Sequence, residues 1–548
     1  MSKSITKYDL RIANFRFLFV FVCVHLWLIF LVSCQSKPTD LRSLAPADTL
    51  IYLETNDLGK TLETLTESRA FQELARDKTD FSALENVQFA VAVTGFETSE
   101  QQVANQQSVL NLKPRFVAIA DTHAWKSTAA SIAENQIGEF VRRTYGDVKL
   151  EKSEKADATF FVWTSATDGR KVFAAVSRSV IYVGNDENLL DKCLAVKRGE
   201  AESLLKNENL AHARETSRET SKAENSLAFG YISPAGVAQI TNFAGVSLAI
   251  GATENDNTRS FIAETLPQVL QKTTKEIAWT TSRAEQGIED KIFVATTNET
   301  SSVFKETLQT SSQSQTDSVE FLPSDIFSTT RYNLQNPQLS WRGLLFVVAK
   351  QTDARSAKIL AQFSNNLLAS YGVSDADRFL SAVDSHILTA QLDADGEKSI
   401  AIVAVRDLEN VKKSIAGINF KSQPEKSADA EIWKSEDGEI MAAFAENKLI
   451  LGDGESVLKC LEAKRGGQNF TKNQYFSKFN DSKAVSTTYA KDTDSAEKIL
   501  KVLGAPKDEN KKITTIYLTE TRFTENGVER KSISAFGFIG TILEKIGE

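Results

Sequence analysis

Cysteine and histidine are the side chains of this sequence best suited to chemistry, and both are scarce. The 548 residues contain four of each. Cys34 differs from the other cysteines because it ends a long apolar run and directly follows the small residue Ser33. A thiol can act as a nucleophile and be alkylated. The first question is therefore what kind of segment leads to Cys34.

Residues 1–33 have the features of an export signal. The apolar run Phe17–Val32 is interrupted only by His25, and it follows four basic residues: Lys3, Lys7, Arg11 and Arg16. A helix over this run would rise only about 24 Å, whereas the hydrocarbon core of a bilayer is about 30 Å thick. The pattern therefore predicts a signal peptide that is removed. The alternative is an uncleaved inner-membrane signal anchor, because Ile12–Phe15 could lengthen the apolar run.

The end of this run, Leu31-Val32-Ser33-Cys34, resembles the lipobox of bacterial lipoproteins. The resemblance implies cleavage between Ser33 and Cys34, lipidation of Cys34, and attachment to a membrane through that lipid. Val32 is bulkier than the residue usual in the family at that position. Gln35 stands where enterobacterial lipoproteins retained in the inner membrane have Asp, which implies an outer-membrane protein that faces the periplasm.

No other residues form a recognisable catalytic or metal-binding motif. His123, His212 and His386 are far apart in sequence and have no Cys or His partner at ligand spacing, so we predict no metal and no cofactor. Cys193 and Cys460 are predicted to be buried core residues, with a disulfide between them as the alternative. We therefore predict no catalytic residue, and a hydrolase that uses paired carboxylates remains the alternative.

Two further segments have competing interpretations. Asp393–Glu397, "DADGE", begins like a calcium loop but lacks the distal Glu, so we predict a turn between two strands. The apolar segment Ile240–Ala252 is too short to span a bilayer, and we predict a helix and loop packed in the core. The alternative for this segment is contact with lipid.

The net charge argues against nucleic acid as a partner. The whole chain carries a formal charge of −8, and removal of residues 1–33 takes away four basic residues and one acidic residue, which leaves about −11. Nucleic-acid affinity depends on neutralising phosphates with basic side chains. We therefore expect no nucleic-acid partner, and the candidate partners are an envelope protein, a lipid or a glycan.

The sequence contains an internal repeat. "CLAVKRG" at 193–199 recurs as "CLEAKRG" at 460–466, and the similarity extends back to Trp163 and Trp433. "EQGIEDK" at 285–291 likewise resembles "ENGVERK" at 525–531. These matches predict two tandem copies. The expected organisation is a signal peptide (1–33), a tether (34–40), copy 1 (41–299), a Ser/Thr/Gln-rich linker (300–318) and copy 2 (319–548).

Short strands of alternating polarity come in adjacent pairs between helices, which favours an α+β fold in which each copy is mainly antiparallel sheet with helices packed on it. The opening Pro46-Ala47-Asp48-Thr49 and the duplicated layout resemble a bacterial family of exported proteins designated domain of unknown function 3352. The resemblance implies export and no assigned activity. We therefore expect a cell-envelope lipoprotein that acts by binding or as a scaffold.

Overall fold

The computed structural model describes residues 39–77, 79–103, 107–155, 157–220, 225–252, 256–285, 287–312, 317–366, 368, 371–415, 424–426, 430–503, 505–508 and 511–547. Within them the strands are β1 Ile51–Thr55, β2 Gln88–Val103, β3 Gln107–Asp121, β4 Val148–Lys155, β5 Ala158–Ser165, β6 Lys171–Ser177, β7 Val180–Gly184, β8 Ser226–Ile232, β9 Thr274–Ala284, β10 Gly287–Thr296, β11 Ser328–Asn333, β12 Val383–Gln391, β13 Ser399–Val405, β14 Glu425–Lys426, β15 Glu431–Lys434, β16 Ile440–Ala445, β17 Lys448–Asp453, β18 Ser486–Asp492, β19 Thr515–Thr524 and β20 Gly527–Ser534.

The helices of the same residues are α1 Leu58–Thr66, α2 Arg69–Leu74, α3 Lys126–Ser131, α4 Gly138–Tyr145, α5 Glu187–Arg198, α6 Glu208–Thr220, α7 Pro234–Ala252, α8 Asp256–Thr273, α9 Asn298–Thr307, α10 Pro337–Lys350, α11 Ala354–Asn366, α12 Ala376–Ala382, α13 Leu408–Ile415, α14 Gly454–Gly466, α15 Phe476–Asn480, α16 Ser495–Val502 and α17 Gly537–Gly547. A π-helical turn, Ile132–Ile137, joins α3 to α4.

All described strands belong to one antiparallel sheet. From one edge to the other the order is β4, β5, β6, β7, β3, β2, β1, β8, β9, β10, β20, β19, β18, β11, β12, β13, β17, β16, β15 and β14. The first ten strands and the last ten therefore follow the same order from their own edge inwards, and they meet where β10 pairs with β20. The predicted α+β class and its antiparallel sheet are confirmed.

Helices cover both faces of the sheet in the first half of the chain. Along β2, Phe89, Val91 and Val93 belong to one core, while the alternate residues Ala90 and Ala92 belong to another. Opposite faces of a strand alternate along its residues, so both faces are buried here. Helices α1 to α4 contribute to the first core, and α5 and α6 contribute to the second.

The last two helices of the chain cross to the first half. Residues of α16 and α17, among them Leu500 and Leu543, lie in the same core as Phe89 of β2. On the other side of the junction, α9 of the first half packs against α10, where Ser340 Oγ donates a 2.6 Å hydrogen bond to the carbonyl of Thr307. Each half therefore contributes helices to the packing of the other.

Local capping explains where the helices of the repeated segments begin and end. Asp186 accepts a hydrogen bond from Leu189 N at the start of α5, and Asp453 accepts one from Ser456 N at the start of α14. Gly199 ends α5 with φ of 77°. The match of "CLAVKRG" with "CLEAKRG" predicts that Gly466 ends α14 as Gly199 ends α5. This is wrong by one residue: Gly466 is still helical, and the next residue, Gly467, takes the left-handed conformation with φ of 65°.

Two other expectations need correction. The segment Ile240–Ala252 contains no loop, because it is the continuous C-terminal part of α7. The predicted linker, residues 300–318, begins inside α9 and ends inside the 3₁₀ helix Asp317–Phe321. Among the described residues, no helix is both long enough and apolar enough to cross a membrane.

Candidate functional site: the N-terminal clasp

The residues predicted to be lipidated and cleaved, Cys34 and Ser33, lie outside the described residues, as does Gln35. The described chain begins at Thr39, only five residues after Cys34. Five fully extended residues reach at most about 18 Å. Whatever holds Thr39 therefore also fixes the position of Cys34 to within this distance.

Thr39 is held by two buried polar side chains, Gln88 and Asp121, which lie opposite each other on β2 and β3. Gln88 Oε1 accepts from Thr39 N at 2.7 Å, and Gln88 Nε2 donates to Thr39 O at 2.8 Å. The Thr39 hydroxyl donates to Asp121 Oδ2 at 2.6 Å. We call Thr39, Gln88 and Asp121 the N-terminal clasp, because they fasten the start of the described chain to the sheet.

The charge of Asp121 is stabilised by hydrogen bonds, although the residue is only 2% exposed. Burial alone would raise its pKa, but the Thr39 hydroxyl and the backbone N–H of His123 donate to the carboxylate and hold the pKa below its usual value. His123 has a left-handed backbone with φ of 54°, and its Nδ1 lies 3.6 Å from Asp121 Oδ1. His123 thus supports the clasp.

An ion-pair network covers the residues that follow the clasp. Asp40 pairs with Arg42 at 2.6 Å and lies 3.9 Å from Arg214 of α6. Arg214 also pairs with the buried Glu54 of β1 at 2.6 Å. The hydroxyl of Tyr52 donates to the other oxygen of Glu54 at 2.8 Å, and burial raises the pKa of Tyr52 well above its usual value. These contacts tie the N-terminal segment to both β1 and α6.

His212 lies on the same helix, near a second carboxylate. The hydroxyl of Tyr231 donates to Glu276 at 2.9 Å. Burial raises the pKa of Glu276, and the Tyr231 hydrogen bond and the nearby His212 oppose that shift. His386, by contrast, is on β12, ten strands away in the order of the sheet from β3, the strand that His123 follows. The structure therefore does not bring the three histidines together.

The two cysteines of the body are free and fully buried in α5 and α14, as predicted. Burial raises the pKa of each thiol, Cys193 and Cys460, to about 12. They pack in separate cores, so the alternative of a disulfide between them is wrong. A thiol with such a pKa is a poor nucleophile at neutral pH.

The segment Asp393–Glu397 forms the predicted turn between β12 and β13. Asp393 Oδ1 accepts from Gly396 N at 3.0 Å, and Gly396 has φ of 77°, which favours glycine. In the part of the chain that the structure describes, no group of three or more His, Cys, Asp or Glu side chains is arranged to hold a metal ion.

The clasp was not predicted from the sequence. Gln88 and Asp121 stand at the outer ends of strand patterns, where polar residues usually mark exposed turns. The approach of Thr39, separated by 49 residues from Gln88 and by 82 from Asp121, supplies hydrogen bonds to both buried side chains. Comparisons with protein-family models, with curated proteins and with solved structures find no match for this chain.

Proposed function

We propose that the chain is a cell-envelope lipoprotein, anchored through an acylated Cys34, whose body acts by binding or as a scaffold. The clasp is the observation that carries this proposal. Thr39 is fastened by three hydrogen bonds of 2.6–2.8 Å, a short polar tether away from the residue that resembles a lipidation site. The clasp therefore fixes how far the body can lie from an anchor at Cys34.

The tether would keep the body close to the membrane. Two or three acyl chains anchor a protein stably, since each buried methylene adds about 0.8 kcal/mol. With at most about 18 Å between Cys34 and Thr39, the ends of β2 and β3 nearest the clasp would lie near the lipid surface. Gln35 favours the outer membrane, and the inner membrane is the alternative location.

We further propose that the body consists of two tandem copies of one α+β unit. The identical strand order of the two halves supports this. Trp163 and Trp433 also occupy equivalent strands: Trp163 is on β5, which pairs with β6 ahead of α5, and Trp433 is on β15, which pairs with β16 ahead of α14. Two units joined through β10 and β20 make one broad, continuous sheet. A broad sheet suits a scaffold or a binding protein.

Two observations favour binding over carboxylate-dependent hydrolysis. The buried carboxylates Glu54, Asp121 and Asp290 are each occupied by hydrogen bonds or ion pairs that hold the fold together. On α10, Leu339 and Phe346 are 44% and 53% exposed and lie seven residues apart, on one side of the helix. Exposed apolar side chains of this kind are typical of surfaces that contact proteins or lipids.

Metabolic labelling with a fatty-acid analogue tests the anchor. We expect the wild-type protein to be labelled, and we expect Cys34→Ser to lose the label and leave the membrane fraction. Cys23→Ser is the matched control, because Cys23 lies in the leader and should not affect labelling. An unchanged labelled band in Cys34→Ser would refute lipidation at this residue.

Crosslinking in intact envelopes tests the binding role. We expect Phe346→Ser to lose a crosslinked species that the wild type forms. The control, Leu458→Ser, changes another exposed apolar residue, 41% exposed on α14, and should retain the species. Retention of the species in Phe346→Ser would remove α10 from the proposed binding surface.

A further inference from the structure

Buried polar atoms without a hydrogen-bond partner are concentrated at one place in the second half. Ten such side-chain atoms occur among the described residues, and five of them belong to a single group. The group, which we call the Arg331 cluster, consists of Arg331 Nε, Asn333 Oδ1, His386 Nε2, Asn480 Oδ1 and Thr487 Oγ1. Each of these residues is at most 6% exposed. Native proteins leave few such atoms unpaired, so this concentration calls for an occupant.

The strand register brings these residues together. Arg331 and Asn333 are two positions apart on β11, so they share a face of the sheet. His386 lies opposite Asn333 on β12, and Thr487 lies opposite Arg331 on β18. Asn480 ends α15, and its carbonyl accepts from Arg331 Nη1 at 2.6 Å. The cluster therefore lies between the sheet and the end of α15.

Arg331 has a charge that no described carboxylate neutralises by direct contact. Its Nη2 donates to Ser482 O, so both terminal nitrogens bind backbone carbonyls, and no ion pair of the described residues includes Arg331. Burial lowers the pKa of Arg331, while the more distant Asp481 and Glu520 oppose that shift. A buried cation without a contacting anion is costly.

The first half of the chain shows how the same position can be neutralised. In β1, Tyr52 lies opposite Tyr231, and Glu54 follows two residues later. In β11, Thr329 lies opposite Tyr489, and Arg331 follows two residues later. Glu54 and Arg331 therefore occupy matching positions in the two halves. Glu54 is paired at 2.6 Å with Arg214 of the 13-residue helix α6. Helix α15 is only five residues long and ends at Asn480, so it supplies no such partner to Arg331.

The free hydrogen-bonding groups suit an anion. Arg331 Nε–H is a donor, and the Thr487 hydroxyl can also donate, so an acceptor placed between them would satisfy both. His386 Nε2 becomes a third donor when His386 Nδ1 accepts from the Ser385 hydroxyl, 3.0 Å away. The amide oxygen and nitrogen of Asn333 can exchange places, which turns its amide N–H towards the same space. Asn480 Nδ2 is held by Asp481 Oδ1 at 3.4 Å, so Asn480 keeps its orientation. Water would satisfy these groups as well, but it would leave the guanidinium of Arg331 without an anion in direct contact.

We propose that the Arg331 cluster is a binding site for a small monovalent anion of the halide or carboxylate class. This inference is independent of lipidation at Cys34. The anion would accept from Arg331 Nε and Thr487 Oγ1, neutralise the guanidinium and hold the end of α15 against the sheet.

Bromide provides the most direct test, because its anomalous scattering distinguishes it from water. In crystals of the mature protein soaked in sodium bromide, we expect a peak within hydrogen-bonding distance of Arg331 Nε and Thr487 Oγ1. In solution, chloride and formate should raise the unfolding temperature in a saturable manner. Thr487→Val should weaken this apparent affinity about tenfold, because it removes one hydrogen bond to the anion.

Thr515→Val is the matched control, since Thr515 is also a buried strand threonine, at the start of β19. It should leave the anion dependence unchanged. Arg331→Met should abolish the dependence, and Thr487→Val provides the answer if Arg331→Met does not fold. Water alone at the cluster in the bromide crystals, or equal anion dependence in the wild type and Thr487→Val, would overturn the proposal.

Discussion

Lys291 and Lys531 lie directly opposite each other at the centre of the β10–β20 pair, where the two halves of the sheet meet. Two lysines in this arrangement repel each other. Glu289 lies between them, with one carboxylate oxygen 3.6 Å from Lys291 Nζ and the other 2.7 Å from Lys531 Nζ. The register continues equally on both sides of this pair, from Ile288 opposite Ser534 to Ala295 opposite Gly527.

Glu289→Gln should weaken this junction. It leaves the two lysines without the carboxylate that separates them, and all three side chains are partly buried. We expect a loss of about 1–2 kcal/mol in the free energy of unfolding, measured with urea, and less loss in high salt. The control is Glu529→Gln on β20, opposite Phe293, which should change stability by less than about 0.5 kcal/mol. Equal losses in the two variants would contradict this role of Glu289.

Asp290, the next residue, should make stability depend on pH. Burial raises its pKa to about 6, despite hydrogen bonds from Thr281 and from Phe538 N of α17. An unfolded aspartate titrates near 3.9, so the folded protein binds the extra proton between these values. Stability from this group is therefore fully present below about pH 4 and is lost as the pH rises through about 6, by about 3 kcal/mol.

Asp290→Asn removes this ionisation but keeps an oxygen that can accept from Phe538 N. We expect the variant to be more stable than the wild type at pH 7, with the difference shrinking towards pH 4. Denaturant unfolding of both proteins at several pH values measures it. A difference that does not change between pH 4 and pH 7 would show that Asp290 does not titrate in this range.

Leu543 should report the exchange of helices between the halves. It is fully buried on α17, within the core of the first half. Leu543→Ala should cost about 2–4 kcal/mol and leave unfolding as a single transition, because neither half is complete without the other. Leu458→Ala, at a residue 41% exposed, should cost little. Two separate unfolding transitions, with only the transition of the second half shifted by Leu543→Ala, would contradict the exchange of helices between the halves.

Thr39 should determine how firmly the N-terminal segment is attached. Thr39→Val removes the donor to the buried Asp121, so the carboxylate loses stabilisation and its pKa should rise. We expect a loss of about 1–3 kcal/mol and faster amide exchange at residues 39–44. Thr39→Ser keeps the hydroxyl and should behave like the wild type. Unchanged exchange in Thr39→Val would mean that Gln88 alone holds the segment.

Local patterns predicted the local structure well. The turn at Asp393–Glu397 and the burial of Cys193 and Cys460 depend on neighbouring residues, which a single sequence displays. The similarity of residues 285–291 and 525–531 identified two related strands but could not show that they pair with each other. Strand pairing depends on contacts between residues 240 positions apart, for which the sequence contains no local signal.

The candidate site was harder to predict than the fold. Cys34 was identified from its neighbours, whereas the partners of Thr39 come from strands that the sequence only showed to be apolar. Arg331 and His386 also lie on strands, and Arg331 is covered by the end of α15, to which it donates a hydrogen bond. Polar residues acquire such roles through tertiary packing, which a single sequence does not display.

The intact mass of the protein purified from the envelope tests the central claim most directly. The proposal predicts a chain that begins at Cys34 and is heavier than residues 34–548 by a diacylglyceryl group and an amide-linked acyl group. An envelope-resident chain that still begins at Met1, with no added lipid, would contradict it.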